Sequence, residues 1–142
     1  MRRCIELGRQ AKQNGDSPVG SLIACEGRIL GEGIESVKRK MDLTAHAEIE
    51  AIRAACRRLK SLDLRGCSLY TTAEPCWMCS YLIRRTRVSH VVIGAPVPYV
   101  GGATSRHPIL TDPKIECWPE SPAVTWSELR EECENLMQKR IE

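Results

Sequence analysis

Four residues in this 142-residue chain have types and spacing suited to metal chemistry: His46, Glu48, Cys76 and Cys79. Cys76 and Cys79 are three apart, so on a helix their sulfurs share a face, and the positive end of that helix favours the thiolate form a metal requires. Such a pair is half of a zinc site. His46 offers an imidazole nitrogen as third ligand. Three protein ligands and one open position describe catalytic rather than structural zinc. Two thiolates cancel the formal charge of Zn2+ and leave it a poorer acidifier of water, so a proton acceptor is needed nearby, a task for Glu48.

The elements that must position these residues are legible from pattern. Residues 2–14 carry Ile5, Leu7 and Ala11 among charges, and Gly15 follows as a stop, predicting an opening helix. Apolar runs at 19–25 and 29–34 flank Glu26-Gly27 and predict a β-hairpin. Residues 35–43 are polar and basic and are expected to form a loop. His46, Ile49, Ile52, Arg53, Cys56 and Leu59 have helical spacing, which starts a second helix at about Ala45. A strand over 67–72 then feeds a helix whose first turn holds Pro75 and which continues through Tyr81-Leu82-Ile83. A strand at 88–94, a glycine- and proline-rich loop at 95–108 and a closing helix at 126–140 complete the reading. This order predicts an α/β fold, a three-layer α/β/α sandwich, formed by one domain over 1–142.

Composition narrows the class. With 42% hydrophobic and 27% charged residues the chain reads as folded and globular. A net charge of +3 and a pI near 8.5 permit a nucleic-acid partner without implying one. No stretch has the length of a membrane span and no signal-peptide core follows Met1, so the expected location is cytoplasmic, away from any membrane. In that compartment a disulfide framework is not expected of the eight cysteines. Cys4, Cys25, Cys56 and Cys133 read as small buried hydrophobes.

His46-x-Glu48 followed by Pro75-Cys76-x-x-Cys79 matches the signature of zinc nucleobase deaminases, in which the glutamate is general acid and base and not a ligand. On these residues the chain resembles the cytidine-deaminase-like superfamily, in the branch of guanine deaminases, bacterial tRNA adenosine deaminases and fungal cytosine deaminase. The likeness extends to Gly15-Asp16-Ser17-Pro18-Val19-Gly20, Leu69-Tyr70-Thr71-Thr72 and Val91-Val92-Ile93-Gly94. The resemblance implies a five-stranded mixed sheet between helices, one Zn2+ per chain and a homodimer. It also implies hydrolytic deamination, with Glu48 moving a proton from water to a ring nitrogen and then to the departing amine.

Glu74 before Pro75 resembles the purine-acting members, whereas Glu35 stands where relatives usually carry asparagine. An ionised carboxylate only accepts hydrogen bonds, so Glu35 should suit an N–H-bearing edge, guanine-, aminotriazine- or pterin-like. The favoured reading is therefore a deaminase of an amino-substituted nucleobase or nucleoside, purine- or guanine-like, with Glu35, Ala47 and His107 as substrate-binding residues. The alternative is a tRNA adenosine deaminase, supported by Thr44-Ala45-His46-Ala47-Glu48 and the basic Lys38-Arg39-Lys40, and set second because of Glu35 and the modest charge. From another class comes a non-catalytic zinc-binding module, its shell closed by a further cysteine such as Cys67. A redox pair would call for a different context around Cys76 and Cys79. His90 reads as a strand residue, and His107 falls in a loop near strand ends, where ligands bind. The clusters Arg57-Arg58 and Arg84-Arg85-Arg87 read as solvated surface. Trp118 either covers a substrate ring or packs on the sheet.

Overall fold

The computed structural model describes residues 1–138. Its elements are α1 (Arg2–Gln13), β1 (Gly20–Cys25), β2 (Arg28–Ile34), α2 (Val37–Lys40), α3 (Ala47–Leu59), β3 (Ser68–Ala73), α4 (Trp77–Arg85), β4 (His90–Ala95), β5 (Ala123–Trp126) and α5 (Arg130–Gln138). The five strands form one mixed sheet in the order β2-β1-β3-β4-β5. β1 runs antiparallel to both β2 and β3, whereas β3, β4 and β5 are parallel. Helices α3 and α4 touch each other on one side, and α1 packs with α5 on the other, which completes the expected α/β/α sandwich.

The hairpin turn at Glu26 and Gly27 has positive φ at both residues, 50° and 76°, the twist that suits a two-residue connection. The main core fills the space between the sheet and α3 and α4. Ile23, Leu69, Val91 and Ile93 from the strands meet Ile52, Ala55 and Ile83 from the helices, all at most 2% exposed. Gly33 on β2 lets α3 lie directly on the strand, because a Cβ there would collide with the Ala47 carbonyl and the Ala51 amide. That close approach sets where α3 begins, and hence where His46 and Glu48 stand.

Strand pairing gathers one end of the sheet. Ile34 at the end of β2 pairs with Gly20 at the start of β1, and β3 and β4 end together at Ala73 and Ala95. Glu35, Glu74 and the starts of α3 and α4 therefore share one edge, the place where α/β sheets position ligands.

Four expectations change. β5 takes Trp126 into a strand, and the closing helix begins at Arg130; residues 139 and 140 of the expected helix lie outside the described residues. The basic segment holds a one-turn helix, α2, because the Asp16 carboxylate accepts the Lys38 N–H at 2.7 Å and anchors that turn. Pro75 precedes the N-cap residue Cys76 and so lies one step outside α4. Arg84 is no surface residue: it is 1% exposed and donates to the carbonyls of Ile109, Asp112 and Pro119. No helix among the described residues is long and apolar enough to cross a membrane.

Candidate active site

His46 and Cys76 are the N-cap residues of α3 and α4, so two helix beginnings converge on one point. An N-cap residue has extended backbone, and its side chain stays free to face whatever lies beyond the helix end. His46 Nδ1 lies 3.6 Å from Cys76 Sγ and 3.6 Å from Cys79 Sγ. A tetrahedral zinc with bonds of about 2.3 Å to sulfur and about 2.0–2.1 Å to nitrogen sets its nitrogen and sulfur ligands about 3.6 Å apart. Both nitrogen–sulfur separations thus match a tetrahedral ion, and all three donors lie within 4.8 Å of one another. Cys67 precedes the first residue of β3, whose six residues span about 20 Å. It sits at the opposite edge and cannot close the shell.

Glu48, in the first turn of α3, is 3% exposed, and the Cys79 thiol donates to its Oε2 at 3.7 Å. It touches a ligand while standing outside the donor group, the geometry of a proton carrier beside a metal. Burial pushes its carboxyl up to about 7. Cys76 is held down to about 4, chiefly by its contact with Cys79 and then by His46, and the same sulfur–sulfur contact drives Cys79 up. His46, hydrogen-bonded to Cys76, is raised to about 9. One thiolate beside an imidazolium is the charge pattern a dication replaces, and coordination then deprotonates the thiols outright.

The other expected site residues divide. Glu35 is 9% exposed, its Oε2 accepts the Ala47 N–H at 3.2 Å, and burial raises its carboxyl against the opposing pull of His46. Ala47 is fully buried, its amide already engaged by Glu35. His107 is exposed in the segment after β4, with its ring centroid 5.8 Å from that of Trp77. His90 stands in β4 with Nε2 2.8 Å from Thr125 Oγ1, a partner within the sheet. Trp118 packs on α4, 5.2 Å from the Tyr81 ring and 5.2 Å from the Arg84 guanidinium carbon.

From sequence alone Asp16 carries no structural role and Glu74 is only a sign of purine-acting members. Asp16 tethers α2 through one oxygen while its other oxygen is buried without a partner. Glu74 looked like a substrate marker, yet it is 3% exposed and its carboxylate is filled by donors from residues 97–104.

The family described as the cytidine and deoxycytidylate deaminase zinc-binding region matches residues 1–95. The chain belongs to that family. This deaminase is a hydrolase of carbon–nitrogen bonds in nucleobases or nucleosides, and its resident metal is zinc. It is 41% identical over 135 residues to a tRNA-specific adenosine deaminase of Aquifex aeolicus, covering 93% of this chain and 89% of that one. A solved structure from work on A-to-I editing by tRNA:A34 deaminases at the wobble position superposes with a TM-score of 0.88 at 29% identity, covering 96% of each chain. A guanine deaminase of Bacillus subtilis superposes with a TM-score of 0.65 at 38% identity, over 67% of this chain and 61% of that one.

These likenesses correct the substrate and partner expectations. Relatives named tRNA-specific adenosine deaminase match the deaminase over nearly its whole length at 41% and 36% identity. The preference for a small guanine-like base, and the ranking of tRNA behind it, are overturned. Glu74, read as a sign of a purine substrate, is compatible with adenosine, itself a purine; Glu35, read as favouring a guanine-like edge, has its Oε2 engaged by the Ala47 N–H.

Proposed function

We propose that this chain is a tRNA adenosine deaminase that converts an adenosine, with the wobble position as target, into inosine and releases ammonia. The observation that carries the proposal is the full-length likeness to the Aquifex aeolicus enzyme, 41% identical over 93% of this chain. Zinc, when held by His46, Cys76 and Cys79, supplies the electrophilic centre that activates a water as nucleophile. Glu48 accepts a proton from that water, donates it to the purine ring nitrogen, and moves a second proton to the departing amine. A buried carboxyl raised towards neutrality is suited to giving and taking protons alike. Glu35 reads the target nucleoside through a donor, a ribose hydroxyl or the exocyclic amine, because a carboxylate accepts only. Ala47 supports Glu35 from behind through its amide, and His107 contributes to the rim. Lys38 and Arg39, both exposed on α2 beside Glu35, supply phosphate contacts. The proposed working form is a homodimer of single-domain chains located with tRNA in the cytoplasm.

The test offers the zinc-loaded protein a tRNA substrate, free adenosine and guanine. Inosine in the tRNA is the expected product. Ammonia from guanine with none from tRNA would overturn the proposal. If Lys38 and Arg39 neutralise phosphates, the logarithm of the RNA binding constant falls linearly with that of salt. Lys38→Ala with Arg39→Ala should then reduce that slope by about 0.7 for each single-strand phosphate that is no longer neutralised.

A further inference from the structure

We propose that Glu74 is a positioning residue for the metal ligand Cys76, acting through residues 97–104. Its side chain is 3% exposed and carries four hydrogen bonds, all from that segment. Oε1 accepts the amides of Ala103 at 2.8 Å and Thr104 at 2.6 Å; Oε2 accepts the Val97 amide at 2.7 Å and the Thr104 hydroxyl at 2.6 Å. Four donors and no acceptor surround the group, so only a carboxylate satisfies them; a glutamine would turn its NH2 towards other donors.

The gripped segment is laced to the ligand turn by the backbone as well. Cys76 and Gly101 form an isolated antiparallel bridge, and the Gly102 N–H donates to the Pro75 carbonyl at 2.8 Å. Gly101 has no room for a side chain, since a Cβ there would collide with the Glu74 carboxylate. Cys76 is an N-cap residue, at the edge of the helical hydrogen-bond ladder, so its extended backbone is held from one side by α4 and from the other by this bridge. Loosening the segment frees the backbone that aims the Cys76 sulfur. Groups that orient a metal ligand change metal affinity on the order of 10–100-fold when removed.

The test reads the metal directly, whatever the nucleic-acid substrate. Cobalt(II) replaces zinc, and its affinity and its thiolate charge-transfer and ligand-field bands are compared in wild type, Glu74→Gln, Thr104→Val and the core variant Val91→Ala. Glu74→Gln should bind cobalt on the order of tenfold more weakly, with altered bands and faster hydrogen exchange at Val97, Ala103 and Thr104. Thr104→Val, which removes one of the four bonds, should move the same way by less. Val91→Ala should lower Tm and keep the wild-type spectrum. If Glu74→Gln and Thr104→Val lower only Tm, as the core variant does, the positioning role is wrong. Should Glu74→Gln fail to fold, Thr104→Val alone decides by the same spectrum.

Discussion

The Cys79 thiol donates to the Glu48 carboxylate at 3.7 Å, so a metal ligand and the proposed proton carrier are in direct contact although 31 residues separate them in the chain. Glu48 thus stands beside the three metal donors without being one of them. Exchanging Glu48 for glutamine keeps the shape and removes the proton function. Inosine formation should fall about 10²–10⁴-fold, with zinc held at one per chain by metal analysis. Loss of zinc along with activity would mean that Glu48 is a ligand.

Removal of zinc by a chelator should lower Tm and abolish deamination, with both restored on adding the metal. A ligand at a thousand times its dissociation constant stabilises by about 4 kcal/mol, a shift readily seen by calorimetry. Cys76→Ser should leave a protein whose Tm no longer responds to zinc.

In the metal-free protein, stability should fall as pH rises between about 4.5 and about 7 by an amount that Glu48 supplies. Burial raises its folded carboxyl from 4.5 to about 7, so the native state keeps a proton that the unfolded chain releases. The contribution is fully present below 4.5 and lost as pH climbs through 7. Glu48→Gln carries no such proton, while His46 and Cys76 titrate in both proteins. The Tm of wild type minus that of the variant should therefore decrease across this window.

Glu35→Asn should change the ratio of kcat/KM between tRNA adenosine and free heterocycles by about tenfold or more, since an amide donates as well as accepts. An unchanged ranking of substrates would remove Glu35 from substrate reading and leave it as the partner of the Ala47 amide.

Arg84→Met should destabilise the fold by roughly 3 kcal/mol or more, because the carbonyls of Ile109, Asp112 and Pro119 lose a charged donor in a buried setting. Urea unfolding measures the loss. A change within about 0.5 kcal/mol would mean that water replaces the guanidinium.

The chemistry was legible in the sequence because its determinants are local: Cys76 and Cys79 follow from helical spacing, and His46 and Glu48 from the His-x-Glu pattern. Helices α1, α3, α4 and α5 and the first four strands were legible from sequence pattern. β5 was not, because its four residues lie at the sheet edge and show no buried alternation. Nor was α2, whose tether Asp16 is 22 residues away. The burial of Arg84 depends on carbonyls 25 to 35 residues downstream, which no pattern around position 84 announces. Substrate preference misled because Glu35 was read as meeting an N–H-bearing edge of the substrate, whereas its Oε2 accepts the amide of Ala47, 12 residues on.

Two helices that start at one point bring backbone partial charge of about half a unit each to the same spot. This contribution has no proton to lose at any pH and no side chain whose replacement would erase it. Part of what steadies sulfur anions in this pocket is thus an inheritance of chain topology, kept for as long as α3 and α4 begin where they do, while the rim around it remains at liberty to diverge.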